Sequence, residues 1–300
     1  MSDEPAVRLA WRVTEPLHAM IYFVPESRDW FAALGLDAAD GYFASRAAPL
    51  GPVGPAPVVA TFFNFAPWLV ARALPAAWTM TTPAAVFAAR LEAADAALRR
   101  GLGAAVGAPE TAEAAALARS AAEAAGAYPF GRALFAATAA MPWPDEPHLV
   151  LFHAQGVLRE FRGDGHVAAL MTAGLTGLEA MILQIASGAG DPAFLRATRG
   201  WPDADWAAAA DRLRERGLIT VDTGPAPADS ASAPPALTEA GRALRAGIEA
   251  TTDRLAAPAY RALGDDGLAR LAELTRPLSR LVVKAGMLNP ANAFAASPRS

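Results

Sequence analysis

A chain of 300 residues that is 53% hydrophobic and 19% charged has material for one large or two ordinary domains and can bury a sizeable core. Its net charge of −4 and sequence pI of about 5.6 argue against a protein dedicated to gripping phosphate backbones, which ordinarily presents a basic face. Cysteine is absent, which excludes disulfides, thiolate nucleophiles and cysteine zinc sites.

Alanine dominates, and Lys284 is the only lysine, the signature of a GC-rich coding bias, so arginine usage by itself carries no functional weight. No basic-then-apolar leader opens the sequence, and no apolar run of about 18 residues is free of Pro, Gly or charge. A cytoplasmic protein with no membrane partner is expected.

In chain order, the first stretch with chemical content is 15–26 (EPLHAMIYFVPE), where Glu15 and His18 form an i, i+3 pair on an expected helix. Arg46, in GYFASRAAPLG, suits either a carboxylate partner such as Glu15 or Glu26, or an anionic ligand. The run 48–59 (APLGPVGPAPVV) reads as a loop or extended segment. Asn64 lies among aromatics in TFFNFAPW. It serves as a turn or cap that satisfies backbone groups, or as an amide orienting a ligand in a pocket walled by Tyr22, Phe23, Phe43 and Phe63. Helices follow at 84–103, closed by Gly101 or Gly103, and at 109–126, opened by Pro and acids and closed by Gly. Trp143 reads as a Pro-flanked anchor for a helix over 145–161.

The stretch LREFRGDGHVAAL, 158–170, reads as a helix–helix turn. Gly163 ends one helix, Asp164 caps the next, Gly165 makes the turn, and His166 falls in a first turn where the helix dipole keeps it neutral. The helix that follows, 165–188, is apolar almost all round and belongs in a core. Beyond it come helices at 191–200 and from 201, strand signals at 218–222 and 236–238, and a long, mobile hairpin tip between them, TGPAPADSASAPP. A long helix and a closing amphipathic helix end the order. A faint echo between 40–51 and 164–177 does not amount to a repeat.

Helix, helix, strand, wing, strand, long helix is a winged helix-turn-helix plan. The segments DRLRERGLI and LTEAGRALRAGIE, followed by an amphipathic helix, resemble MarR-type regulators over 178–283. That resemblance implies a homodimer through the C-terminal helices. The chain is also similar over nearly its full length to an uncharacterised actinobacterial helix-turn-helix family, through 15–26, 41–53, 60–67, 131–154 and LREFRGDGHVAAL. This resemblance implies a fold and no activity. The expected architecture is mainly α: a helical domain with a candidate ligand pocket over 1–164, a MarR-like winged-helix domain with a small two-stranded wing over 165–290, and a tail over 291–300.

The would-be recognition helix starts Pro202-Asp203-Ala204-Asp205-Trp206 and continues with four alanines. Base edges are read by Arg, Asn, Gln, Ser or Thr near that end, and two carboxylates there repel phosphates. Arg212, Arg214 and Arg216 come late, where Asp211 and Glu215 can pair with them. DNA is therefore a disfavoured partner.

The four histidines, His18, His148, His153 and His166, invite a metal or haem reading. His148 and His153 lie five apart, about 140° around a helix, which no helical ligand pair prefers. No His-Glu-x-x-His, Walker loop or Gly-x-Ser-x-Gly elbow occurs. Catalytic residues are therefore unassigned. The leading expectation is a small-molecule-binding protein on a winged-helix scaffold, with Glu15, His18, Tyr22, Arg46, Asn64, His153 and His166 as candidate ligand contacts. An enzyme using histidine, with haem or metal at His153 or His166, is one alternative, and a DNA-binding regulator is the other.

Overall fold

The computed structural model describes residues 5–220 and 235–288. Six short helices come first: α1 (Ala6–Ala19), α2 (Pro25–Ala33), α3 (Ala38–Ala47), α4 (Pro55–Phe62), α5 (Pro67–Ala73) and α6 (Ala77–Met80). Then come α7 (Pro83–Leu102), α8 (Pro109–Ala125), α9 (Ala133–Ala139) and the longest, α10 (Pro147–Thr172). The last third holds α11 (Gly177–Ala186), α12 (Pro192–Arg199), α13 (Asp203–Glu215), α14 (Glu239–Tyr260) and α15 (Gly264–Lys284).

Several expected boundaries hold and several do not. The run 48–59 is a loop only over 51–54: Ala48–Leu50 is a 3-10 turn, and α4 starts on Pro55, whose missing N–H costs nothing at a helix's first position. Among the described residues no strand forms. The expected wing pair reduces to one antiparallel bridge, Ile219 with Leu237, and its tip lies almost wholly outside the described residues.

The largest difference concerns 162–166. No turn occurs there, because α10 runs unbroken through Gly163, Asp164 and Gly165. Gly165, and Gly156 further back in α10, answer packing rather than backbone turning. A Cβ at Gly165 would lie 2.9 Å from a guanidinium nitrogen of Arg132 and 3.2 Å from the Leu255 Cβ of α14. A Cβ at Gly156 would lie 2.7 Å from the His18 ring of α1. Asp164 caps a helix, but not its own: its carboxylate accepts the Phe135 N–H, at 3.0 Å, in the first turn of α9. The expected helix 165–188 is instead two pieces meeting at 95°. Gly174, with φ 65°, ends the first, and a Thr176–Glu179 capping box opens the second.

Three apolar cores result. The first joins α1, α7, α8 and α10 with the end of α14 and with α15. Alanines 114, 118, 121, 122 and 125 form the buried face of α8, and their small side chains let α10 approach closely. The second lies within α2 to α7 and takes in Leu134 of α9, and the third joins the end of α10 with α11 to α13, the bridge and the start of α14. Both α10 and α14 contribute to the first and third cores, so these two rods tie the halves together. The boundary expected at 164/165 falls inside α10. The apolar face of α15, with Leu271, Leu274 and Leu278, is covered by the chain's own α1, α7 and α8. Among the described residues no single helix is long and apolar enough to cross a membrane.

Candidate functional site

Where α10 and α14 pass from one core to the other they leave a cavity of about 550 Å³, a size typical of small-ligand pockets. Its walls come from both halves. Trp11, Tyr42, Phe62, Phe63 and Phe65 supply an aromatic side, and Leu170, Leu175, Met181 and Ile248 an aliphatic one. Between them stand six arginines, Arg12, Arg46, Arg159, Arg162, Arg199 and Arg245, against four carboxylates, Glu15, Glu160, Asp164 and Glu249.

Most of these charges are matched. Arg159 donates to Glu15 at 2.8 Å and to Glu160 at 2.9 Å, and Arg46 shares Glu160 at 3.4 Å. Burial pushes the Glu160 carboxyl up, but Arg46 and Arg159 outweigh it and hold the group below its usual range. Glu15 goes the other way: burial dominates and raises it, and its Oε2 is buried without a hydrogen-bond partner. Arg162 donates to Asp253 at 2.8 Å and to Glu249 at 3.1 Å, with its guanidinium 4.6 Å from the centre of the Trp11 ring.

Two arginines lack such matches among the described residues. Arg199, at the end of α12, donates to the Thr198 hydroxyl at 2.7 Å and lies 4.6 Å over the Phe65 ring, with no carboxylate and a buried Nε–H that finds no acceptor. Burial lowers its pKa from the usual value. Arg245 lines the same cavity with no hydrogen bond or ion pair, and Glu249, one turn along α14, only partly offsets the lowering that burial causes.

The aromatic wall is fixed to the α12–α13 turn. Phe63 has φ 61°, a left-handed conformation that non-glycine residues seldom adopt, and its carbonyl oxygen fills the place of a Cβ at Gly177. From there the segment exchanges three hydrogen bonds with 199–201. The Ala66 N–H donates to the Arg199 carbonyl at 2.9 Å, Trp68 Nε1 to the Gly200 carbonyl at 2.7 Å, and Trp201 Nε1 to the Asn64 carbonyl at 2.9 Å. Phe63 caps the end of α4, and Asn64 anchors the turn through its backbone carbonyl. Its side-chain Oδ1 is buried at the cavity wall without a partner.

Of the seven candidate contacts, Glu15, Arg46, Asn64 and His166 line the cavity. His166 Nδ1 lies 2.9 Å from the Thr252 hydroxyl; that hydroxyl donates onward to Ile248, so the imidazole is the donor. Burial lowers its pKa, which favours the neutral ring. His18 and Tyr22 lie behind the wall with Arg90. His18 stacks on Phe152, with Nδ1 3.2 Å from the Phe152 carbonyl and Nε2 3.0 Å from Arg90, and burial followed by Arg90 holds it neutral. His153 is elsewhere, edge-on to Trp143 and Phe87 with Nε2 unpartnered, its pKa lowered by burial to about 4. His148 pairs with Asp95 at 2.6 Å. Among the described residues no three His, Asp or Glu side chains come together as a metal set, so neither His153 nor His166 has ligand neighbours. Of the expected walls, Phe63 faces the cavity, Phe43 is buried in the second core, and Phe23 packs on the first.

Sequence reasoning passed over Arg159, Arg199 and Arg245. The signal for α10 was present. Read on a helix, Arg159, Arg162, Gly163, His166, Val167 and Leu170 follow i, i+3, i+4, i+7 spacing along one face, and that face lines the cavity. Arg199 and Arg245 had no such signal.

No α13 side chain lines the cavity, and α13 exposes Asp203, Ala204, Asp205, Ala207, Ala208, Asp211, Arg212 and Glu215. The arginines around it have protein partners: Arg196 with Asp203 at 2.7 Å, Arg212 with Glu179 at 2.9 Å, Arg214 with Asp211 at 2.7 Å, and Arg216 with the carbonyls of Ala173 and Gly174.

A family model described as a helix-turn-helix family matches residues 7–289. No curated protein and no solved structure matches the chain.

Proposed function

This chain belongs to that helix-turn-helix family, and from this premise we propose a small-molecule-binding protein whose pocket lies against the back of its helix-turn-helix pair, α12 and α13. The observation that carries this reading is the cavity of about 550 Å³ with its mixed aromatic and arginine lining, walled on one side by a segment hydrogen-bonded to the α12–α13 turn. Pockets of this kind combine apolar walls with a few placed polar groups. The Asn64 Oδ1, buried at the wall without a partner, is a polar atom for which a ligand supplies the missing partner. We read α11 to α14, with the Ile219–Leu237 bridge, as a winged-helix unit resembling MarR-type regulators.

Native mass spectrometry of wild type and Ala180→Trp, each equilibrated with small aromatic acids, amides and amines, tests the proposal. Ala180 lines the cavity, so an indole there obstructs it. One-to-one adducts on wild type that vanish in the variant are expected. Equal adducts on both proteins, or none on wild type, contradict the reading.

Family membership favours a second reading, a regulator that binds DNA. The exposed face of α13 weakens it, since Asp203, Asp205 and Asp211 stand where phosphates and base edges would be met. Fluorescence anisotropy with a random-sequence duplex separates the two. A DNA-reading surface gives binding that falls steeply with salt, and its absence at low salt removes this reading.

A further inference from the structure

We infer that the cavity takes an organic carboxylate, its head held between Arg46 and Arg199 beside the Tyr42 hydroxyl and its body against the Phe62–Phe65 wall. The inference rests on the proposed pocket and names the class of ligand it holds.

Arg46 and Arg199 come from opposite halves of the chain and stand over neighbouring rings of one wall, Phe62 and Phe65. Arg46 donates to the Tyr42 hydroxyl at 3.1 Å, and both guanidiniums act on that phenol strongly enough to outweigh its burial and lower its pKa. Each keeps a buried Nε–H with no acceptor, whereas most buried donors in proteins find one. Both stand over aromatic faces, Arg46 at 4.1 Å from the centre of Phe62 and Arg199 at 4.6 Å from that of Phe65, and Tyr42 lies 5.7 Å from Phe65. Two like charges in one partly desolvated space repel, and Arg199 has no carboxylate to offset it. A carboxylate supplies what is missing. One planar anion offers two oxygens to the side-on fork of a guanidinium, and its charge relieves the repulsion. The body then meets the rings that border the fork.

Isothermal titration calorimetry of the full chain with 2-naphthoate and its neutral isostere 2-naphthamide tests this. The carboxylate is expected to bind about tenfold or more tightly, the effect of one charge-assisted hydrogen bond. In Arg199→Met or Arg46→Met the preference is expected to vanish while naphthamide affinity stays within a few fold. Circular dichroism checks the fold of each variant. Arg199→Lys keeps the charge without the fork and is expected to retain only part of the preference. It serves where the methionine variant does not fold. Equal affinity for both probes, lost in Ala180→Trp, overturns this inference and leaves the pocket standing. A preference that survives Arg199→Met but not Arg245→Met places the head on the far wall and overturns the assignment. Binding of neither probe overturns the pocket reading as well.

Discussion

Gly156 and Gly163 stand in the same helix, yet packing predicts opposite outcomes for the same substitution. A methyl at Gly156 meets the His18 ring at 2.7 Å, and that ring is held by Phe152, Arg90 and Tyr22. Gly156→Ala is expected to cost about 1–3 kcal/mol, read as a lower midpoint in urea. At Gly163 the nearest atom is 3.6 Å away, an ordinary contact, so Gly163→Ala is expected to stabilise by up to about 1 kcal/mol through helix propensity. Protonation divides two other α10 side chains in the same way. Burial lowers His153 to about 4, so the unfolded chain binds the extra proton below the ordinary value of 6.5, and the stability held above 6.5 is lost as pH falls toward 4. His153→Phe is expected to remove that loss, about 3 kcal/mol at pH 4. Asp164 has the opposite sign. Burial raises it from 3.8 to about 6, so its stabilising influence is full below 3.8 and is lost as pH rises through 6. Asp164→Asn keeps an acceptor for the Phe135 N–H and is expected to gain about 2 kcal/mol on wild type between pH 4 and 8. Urea midpoints across that range check both, and parallel curves for variant and wild type would contradict them.

Among the elements, α7 and α8 were legible because their start and stop residues are local signals: Pro at the first position, and a positive-φ glycine, Gly103, after α7. The start of α11 was equally legible in Thr176-Gly177-Leu178-Glu179, a capping box that the apolar run around it concealed. Thr176→Ala is expected to cost about 1 kcal/mol. The misread turn at 162–166 has a different origin. Glycine breaks helices in isolation, and only contacts with Arg132, Leu255 and His18, each far off in sequence, explain why α10 needs small residues. The α12–α13 turn likewise depends on partners more than 130 residues away, Trp68 on Gly200 and Trp201 on Asn64. Replacing Trp68 and Trp201 by Phe keeps the rings and deletes both indole donors. Amide hydrogen exchange over 195–206 is expected to quicken by about tenfold or more, while α8 stays unchanged.

At the scale of the molecule, the helical class was readable from composition and periodicity, whereas the way the halves join was not. Two rods, α10 and α14, enter both cores, and α15 returns to cover α1 and α8, so the chain folds back on a boundary that local sequence places at 164/165. The cavity arises from that joining. Four of its polar groups, Glu15, Arg46, Asn64 and His166, were visible as oddities in apolar surroundings; Arg199 and Arg245 were not, because an arginine near a helix end looks the same whether it faces solvent or a cavity. On the proposed reading, occupancy of the cavity is expected to be felt at α12 and α13, through Arg199 and the three hydrogen bonds of the 64–68 segment. Amide hydrogen exchange on the full chain, with and without saturating 2-naphthoate, reads this coupling. The prediction is slower exchange gathered in 60–68, 159–167 and 195–206, with the rest of the molecule unaffected. Protection confined to the cavity walls of α10, or absent from 195–206, would contradict it.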